Sequence, residues 1–182
     1  MNNTFDNNIG IGLNAGSTGN FSPTISIGND CACTWANQMQ LGNSLMNVYT
    51  QNAINTRSDA RDKIDIRDTL LGLEFINKLR PVDYKWNCRD DYKQIGKNND
   101  GSLIKKRYHH GLIAQEVQST IKEIGIDFGG FQDHAINGGN DVLTIGYSEM
   151  IGPLIKAIQE LTIQNQKIND RIYQLQINNN LI

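Results

Sequence analysis

Three patterns of apolar and polar positions follow one another along the chain. In the first, Ile9-Gly10-Ile11-Gly12-Leu13-Asn14, Ile25-Ser26-Ile27-Gly28-Asn29-Asp30 and Met39-Gln40-Leu41-Gly42-Asn43-Ser44 share an apolar-x-apolar-Gly-x-polar core. Gly12, Gly28 and Gly42 recur at 16 and then 14 residues. Short alternating strands closed by glycine turns predict a stacked β-solenoid or a trimeric β-prism. A β-meander with glycine turns is the plainer alternative. Three repeats make a marginal array on their own, so the stretch is expected to be the end of a longer shaft.

The second pattern is mixed. Asp68 to Leu79 carries apolar residues at helical spacing and stops before Arg80-Pro81, which predicts a helix there. Val82-Asp83-Tyr84-Lys85-Trp86 alternates as a strand does. The polar run from Asn87 to Gly101 is expected to be a long hairpin connection. Tyr108 to Ile113 resumes a strand that turns into a short helix over Ala114 to Ile121. Gly125, Gly129, Gly130, Gly138 and Gly139 mark a loop-rich segment, in which His134 is expected to be solvated, before Val142 to Ile145 returns to extended structure.

The third pattern is a heptad. Ile151, Leu154, Ile158, Leu161, Asn165, Ile168, Ile172, Leu175, Asn179 and Ile182 alternate steps of three and four, which predicts a coiled coil. Isoleucine or asparagine at a, with leucine and isoleucine mixed at d, leaves dimer and trimer both open. Asn165 and Asn179 in the seam give up stability and fix a parallel register. Together the patterns predict an α+β chain: β-repeats over 1–57, a mixed domain over 58–147 and a long coiled-coil helix over 148–182.

Composition removes several functions. The net charge of −2 gives no electrostatic footprint for nucleic acid or an anionic membrane. No apolar run approaches the roughly 20 residues of a membrane helix, and no basic-then-apolar leader opens the sequence. Cys31, Cys33 and Cys88 are expected to be free thiols of a reducing compartment. The sequence carries no zinc spacing, metal cluster or phosphate loop, so no cofactor or metal is expected. Trp35 and the other aromatic residues are too scattered for a carbohydrate-binding stripe.

The remaining chemistry sits at the junction of the first two patterns, in Ser58-Asp59-Ala60-Arg61-Asp62-Lys63. A serine hydroxyl is a poor nucleophile until a base takes its proton, and a lysine serves once burial or nearby positive charge lowers its pKa. Arg61 is a candidate for supplying that charge. A helical turn after Ser58 would bring Lys63 onto its face; Lys63 meeting Ser58 of a neighbouring subunit is the alternative. The scissile bond would be Arg57–Ser58. Ser58 as a helix N-cap beside solvated Asp62 and Lys63 is the bland alternative. Of the histidines, His109 and His110 lie in a predicted strand, where one is expected to face the core and a supporting role at the cleavage site is the second choice. Gln115 and Glu116 are expected to serve packing.

Four ordered segments carry a family resemblance. They are Ser58-Asp59-x-Arg61-x-Lys63; Leu79-Arg80-Pro81-Val82-x-Tyr84-x-Trp86; Gly111-Leu112-Ile113-Ala114-Gln115-Glu116-Val117; and Tyr147-Ser148 leading into Leu154 to Leu161. Over about residues 57 to 165 the chain resembles the C-terminal intramolecular chaperone domain of phage tailspikes, tail fibres and endosialidases, which also occurs in myelin regulatory factors. The resemblance implies a homotrimer whose domain folds a viral shaft and then cleaves itself off. Ser58 would be the nucleophile and Lys63 the general base; apart from the resemblance, Asp59 and Arg61 are candidates for a supporting role. It also implies a self-partner only, folding in the host cytoplasm before virion assembly, and a released domain not retained in the virion. A receptor or glycan for the shaft is not legible. A non-cleaving stalk module of a fibre or adhesin is the competing function. A myelin-regulatory-factor-like fragment is disfavoured, since the sequence has neither a DNA-binding domain nor a membrane helix.

Overall fold

The computed structural model describes residues 7–180, so Ile182 of the predicted seam and residues 1–6 of the repeat stretch lie outside the described residues. The fold is mixed α and β with a long C-terminal helix. Its chain divides into two compact units. The first comprises Met1–Ile64, Asp83–His110 and Gln132–Leu143, and the second Asp65–Val82, Gly111–Phe131 and Thr144–Ile182.

In the first unit, β1 (Asn8–Ile11), β3 (Thr24–Ile27) and β5 (Gln38–Leu41) form one parallel sheet, in the order β1-β3-β5. The short strands β2 (Gly16–Ser17) and β4 (Ala32–Cys33) form a second parallel ladder. Ile11 pairs with Ile27 and Ile27 with Leu41, so successive turns of chain stack on one another. This pairing is parallel, not the antiparallel pairing of a meander.

The glycines explain the period. Gly12 and Gly28 have φ of 128° and 133°, a backbone that only glycine adopts readily. A Cβ on Gly12 would lie 2.5 Å from the Gly28 carbonyl oxygen. The corners therefore stack backbone on backbone, with Gly28 N donating to Ile11 O at 2.8 Å and Gly42 N to Ile27 O at 2.8 Å.

The coil is lined by small residues. Thr24, Ser26, Cys31 and Cys33 are buried, and Ser26 Oγ lies 3.1 Å from Cys33 Sγ. All three cysteines are free, and burial pushes the Cys31 thiol up. Large side chains point outward instead: Ile9, Ile11, Met39 and Leu41 are exposed. This reverses the usual inside-apolar alternation.

The polar run 87–101 is not a plain hairpin connection. It contains helix α2 (Arg89–Gln94), which buries Tyr92. The Tyr92 hydroxyl donates to Asn87 Oδ1 at 2.8 Å and accepts from Leu103 N at 2.9 Å. That two-sided anchorage is what turns a polar sequence into structure. The flanking strands β6 (Val82–Lys85) and β7 (Tyr108–Gly111) pair with each other.

The second unit holds the apolar core of Leu71, Phe75, Val117, Phe128 and Met150. Helix α1 spans Leu73–Lys78, shorter than the periodicity predicts. Thr69 Oγ1 accepts from Leu71 N, a local turn that competes with helix, and the Glu160 carboxylate accepts from Leu73 N at 2.8 Å. Helix α3 (Ala114–Ile124) ends at Gly125 in the left-handed region. The motifs read from sequence interlock here. Arg80 pairs with Glu116, and Leu112 N donates to the Tyr147 hydroxyl at 2.9 Å. A further ladder joins β8 (Phe131–Asp133) and β9 (Leu143–Ile145), of which the sequence indicated only the second.

Helix α4 (Ile151–Asn180) has two characters. Pro153 and Ala157 are buried, with Lys156 and Glu160 half-buried beside them, at the spacing of one helical face packed on α1. The predicted seam residues Ile151, Leu154, Ile158, Leu161, Ile168, Ile172 and Leu175 are all exposed.

Candidate functional site

Residues 44–58 are exposed and mostly irregular, leading out of the coil stack toward a single 3-10 turn, Ala60–Asp62. The cap of that turn is Asp59, whose Oδ1 accepts from Arg61 N at 2.9 Å. Ser58 is therefore not the cap. The turn closes through Asp62 N to Asp59 O and Lys63 N to Ala60 O, at 3.1 and 3.2 Å. The chain then leaves in extended conformation at Lys63, and Lys63 Nζ lies 2.7 Å from Ser58 Oγ. The two residues meet within one chain.

The surrounding charges are paired. Arg61 grips Asp59 through Nε at 3.1 Å and Nη2 at 2.6 Å. That hydrogen bond holds the Asp59 carboxyl below its ordinary range, and Asp59 in turn raises Arg61. The Arg61 charge is thus offset by Asp59, while Arg57 reaches Asp62 at 3.5 Å across the Arg57–Ser58 bond. Ser58 and Lys63 are both exposed. As placed, the ammonium donates to the serine oxygen. To act as a base, the lysine must lose a proton and be shielded from water.

The structure gives His109 and His110 other partners. His109 sits against Tyr84 and Trp86, with ring centroids 5.9 and 6.2 Å apart, and His110 Nδ1 lies 2.5 Å from Asp83. Neither makes a described contact with Ser58 or Lys63. His134 corrects the expectation of a solvated loop residue: it is only 3% exposed. Its ring lies tilted against Trp35 with centroids 5.1 Å apart, and its Nδ1 is 3.0 Å from Thr34 Oγ1. Burial lowers its pKa, against a smaller upward pull from Asp133. A glycine-rich loop gives no sign in sequence that it will cover an imidazole.

No curated protein matches the chain. Residues 58–126, beginning at Ser58 of the turn and reaching just beyond α3, match the family described as chaperone of endosialidase. The match likens this segment to the chaperone of endosialidase family and supports a chaperone-type role.

Proposed function

We propose that this protein is an intramolecular chaperone that trimerises, helps fold the shaft of a viral fibre or spike, and then cuts itself at Arg57–Ser58. The observation that carries the cut is the 2.7 Å contact between Lys63 Nζ and Ser58 Oγ on the capped turn. In the proposed chemistry a neutral Lys63 takes the Ser58 hydroxyl proton as Oγ attacks the Arg57 carbonyl carbon. The C–N bond breaks, the Ser58 nitrogen recovers the proton, and an ester joins Arg57 to Ser58 Oγ. Water then hydrolyses the ester, leaving an Arg57 carboxylate and a free Ser58.

Self-association is supported by two apolar surfaces that one chain leaves open, the α4 seam and the outer face of the β1-β3-β5 sheet. Joining three chains by a coiled coil first raises the local concentration of three high-contact-order shafts and aligns them. The exposed dyad gives the cut a natural order. Other copies must cover Ser58 and Lys63 before the lysine loses its proton, so cleavage follows assembly.

The test is denaturing electrophoresis with intact mass on wild type, Ser58→Ala and Lys63→Ala. A fragment running from Ser58 to Ile182 in wild type alone supports the proposal. Cutting at the same bond in Ser58→Ala refutes the dyad. The exposure of both dyad side chains favours one second reading, a non-cleaving trimerisation and stalk module. An uncut but trimeric wild type would select it.

A further inference from the structure

A cut at Arg57–Ser58 would divide the first unit between two pieces, yet side chains from both sides of that bond are joined within the unit. The loop from His134 to Asn140 lies against the coil. His134 packs its ring, tilted, against Trp35 and bonds with Thr34; Asn140 N donates to Thr34 O at 2.9 Å. The Asn140 side-chain amide donates to Thr18 Oγ1 at 2.5 Å. Gly139 passes so close that a Cβ there would stand 2.9 Å from the Thr34 carbonyl oxygen. A second grip comes from α2, where Asp91 accepts from the Ser44 hydroxyl.

Thr18 follows β2 and Thr34 follows β4. They become neighbours only when those strands pair, Gly16 with Ala32 and Ser17 with Cys33, and Thr18 N then donates to Cys33 O at 2.9 Å. Asn140 bonds to both residues. It therefore engages a stacked coil and cannot make both bonds to an unstacked one.

We infer that His134, Gly139 and Asn140 form a retention clasp whose partner is the folded coil around Thr18, Thr34 and Trp35. The clasp holds the two pieces together after the peptide bond is gone. Cleavage would then nick the chain without releasing either piece, and release would be a separate event. The inference takes only the position of the nick from the proposed function; the contacts belong to the uncut chain.

The experiment uses the full chain with Ser58→Ala and a protease recognition sequence placed in the exposed stretch 48–56. The chain is cut by added protease and passed over a sizing column at neutral pH without denaturant. The two pieces are expected to co-elute at micromolar concentration, which requires a Kd of about a micromolar or tighter. Asn140→Ala combined with Gly139→Ala is expected to weaken retention by about tenfold or more. If the double variant loses its circular dichroism signal, Asn140→Ala alone, which removes only the bond to Thr18, is compared in its place. Separation of the unsubstituted pieces overturns the clasp, as does equal retention in the substituted chain. The nick does not depend on the Ser58 hydroxyl. A wild type that fails to cut itself therefore counts against the dyad and leaves the clasp standing.

Discussion

Replacing Gly12 with alanine should dismantle the coil stack, whereas the same change at Gly16 should not. Gly12 has φ of 128°, where an L-residue is strained by about 1–3 kcal/mol. The added methyl would also stand 2.5 Å from the Gly28 carbonyl oxygen. That carbonyl cannot swing away cheaply, because the neighbouring Gly28 N is bonded to Ile11 O and Gly28 is itself stacked on Gly42. Strain and clash together should cost about 3 kcal/mol or more, a large share of what a short array holds. At Gly16 a Cβ would meet nothing within 4 Å, and no positive φ is required. Alanine there should be neutral or stabilise by up to about 1 kcal/mol through the unfolded chain. Hydrogen exchange at Gly28 N and Asp30 N reports the outcome, since both donate across the stack, to Ile11 O and Leu13 O at 2.8 Å. Unchanged protection in Gly12→Ala, or equal loss in Gly16→Ala, would refute the corner-stacking argument.

Three further outcomes follow from named contacts. Phe75→Ala removes a buried ring that meets Phe128 at 5.3 Å, and should destabilise the second unit by about 3–5 kcal/mol, read as lost exchange protection in α1. Leu161→Asp together with Ile168→Asp places charge in the exposed seam and should yield a smaller species in sedimentation while leaving the core of the second unit folded. The clasp should weaken in acid. Burial holds His134 below its ordinary value of about 6.5, so its contribution is full above that pH and is lost as pH falls toward the depressed native value. Retention of the nicked pieces should therefore fall as the pH drops below about 6.5, and a His134→Gln chain should show less of that dependence.

The repeat spacing was legible because a parallel stack turns sequence period directly into register: 16 and 14 residues separate Ile9, Ile25 and Met39, which pair. The C-terminal helix was legible because its three-and-four spacing of seam positions continues for many turns. Helix α2 was hidden, since its reason for existing is Tyr92, which finds its partners at Asn87 and Leu103, outside the helix. At the candidate site the spacing of Ser58 and Lys63 was visible, but its cause was not. A 3-10 turn capped by Asp59, with Lys63 extended beyond it, brings the pair together in place of a longer helix with Ser58 at its head. The burial of His134 was invisible because its partners, Thr34 and Trp35, lie a hundred residues away.

The reversed lining of the coil stack bears on the timing of its folding. Threonine, serine and cysteine fill its interior, so closing one chain's coil removes little hydrocarbon from water, while Ile9, Ile11, Met39 and Leu41 stay wet. The hydrophobic drive for closing this segment within one chain is therefore small. Left in a dilute, solitary chain, the segment has hydrogen bonds to gain but little solvent to expel. It should be among the last parts to become ordered, and under the proposed trimerisation it is the part with most to gain from neighbouring copies.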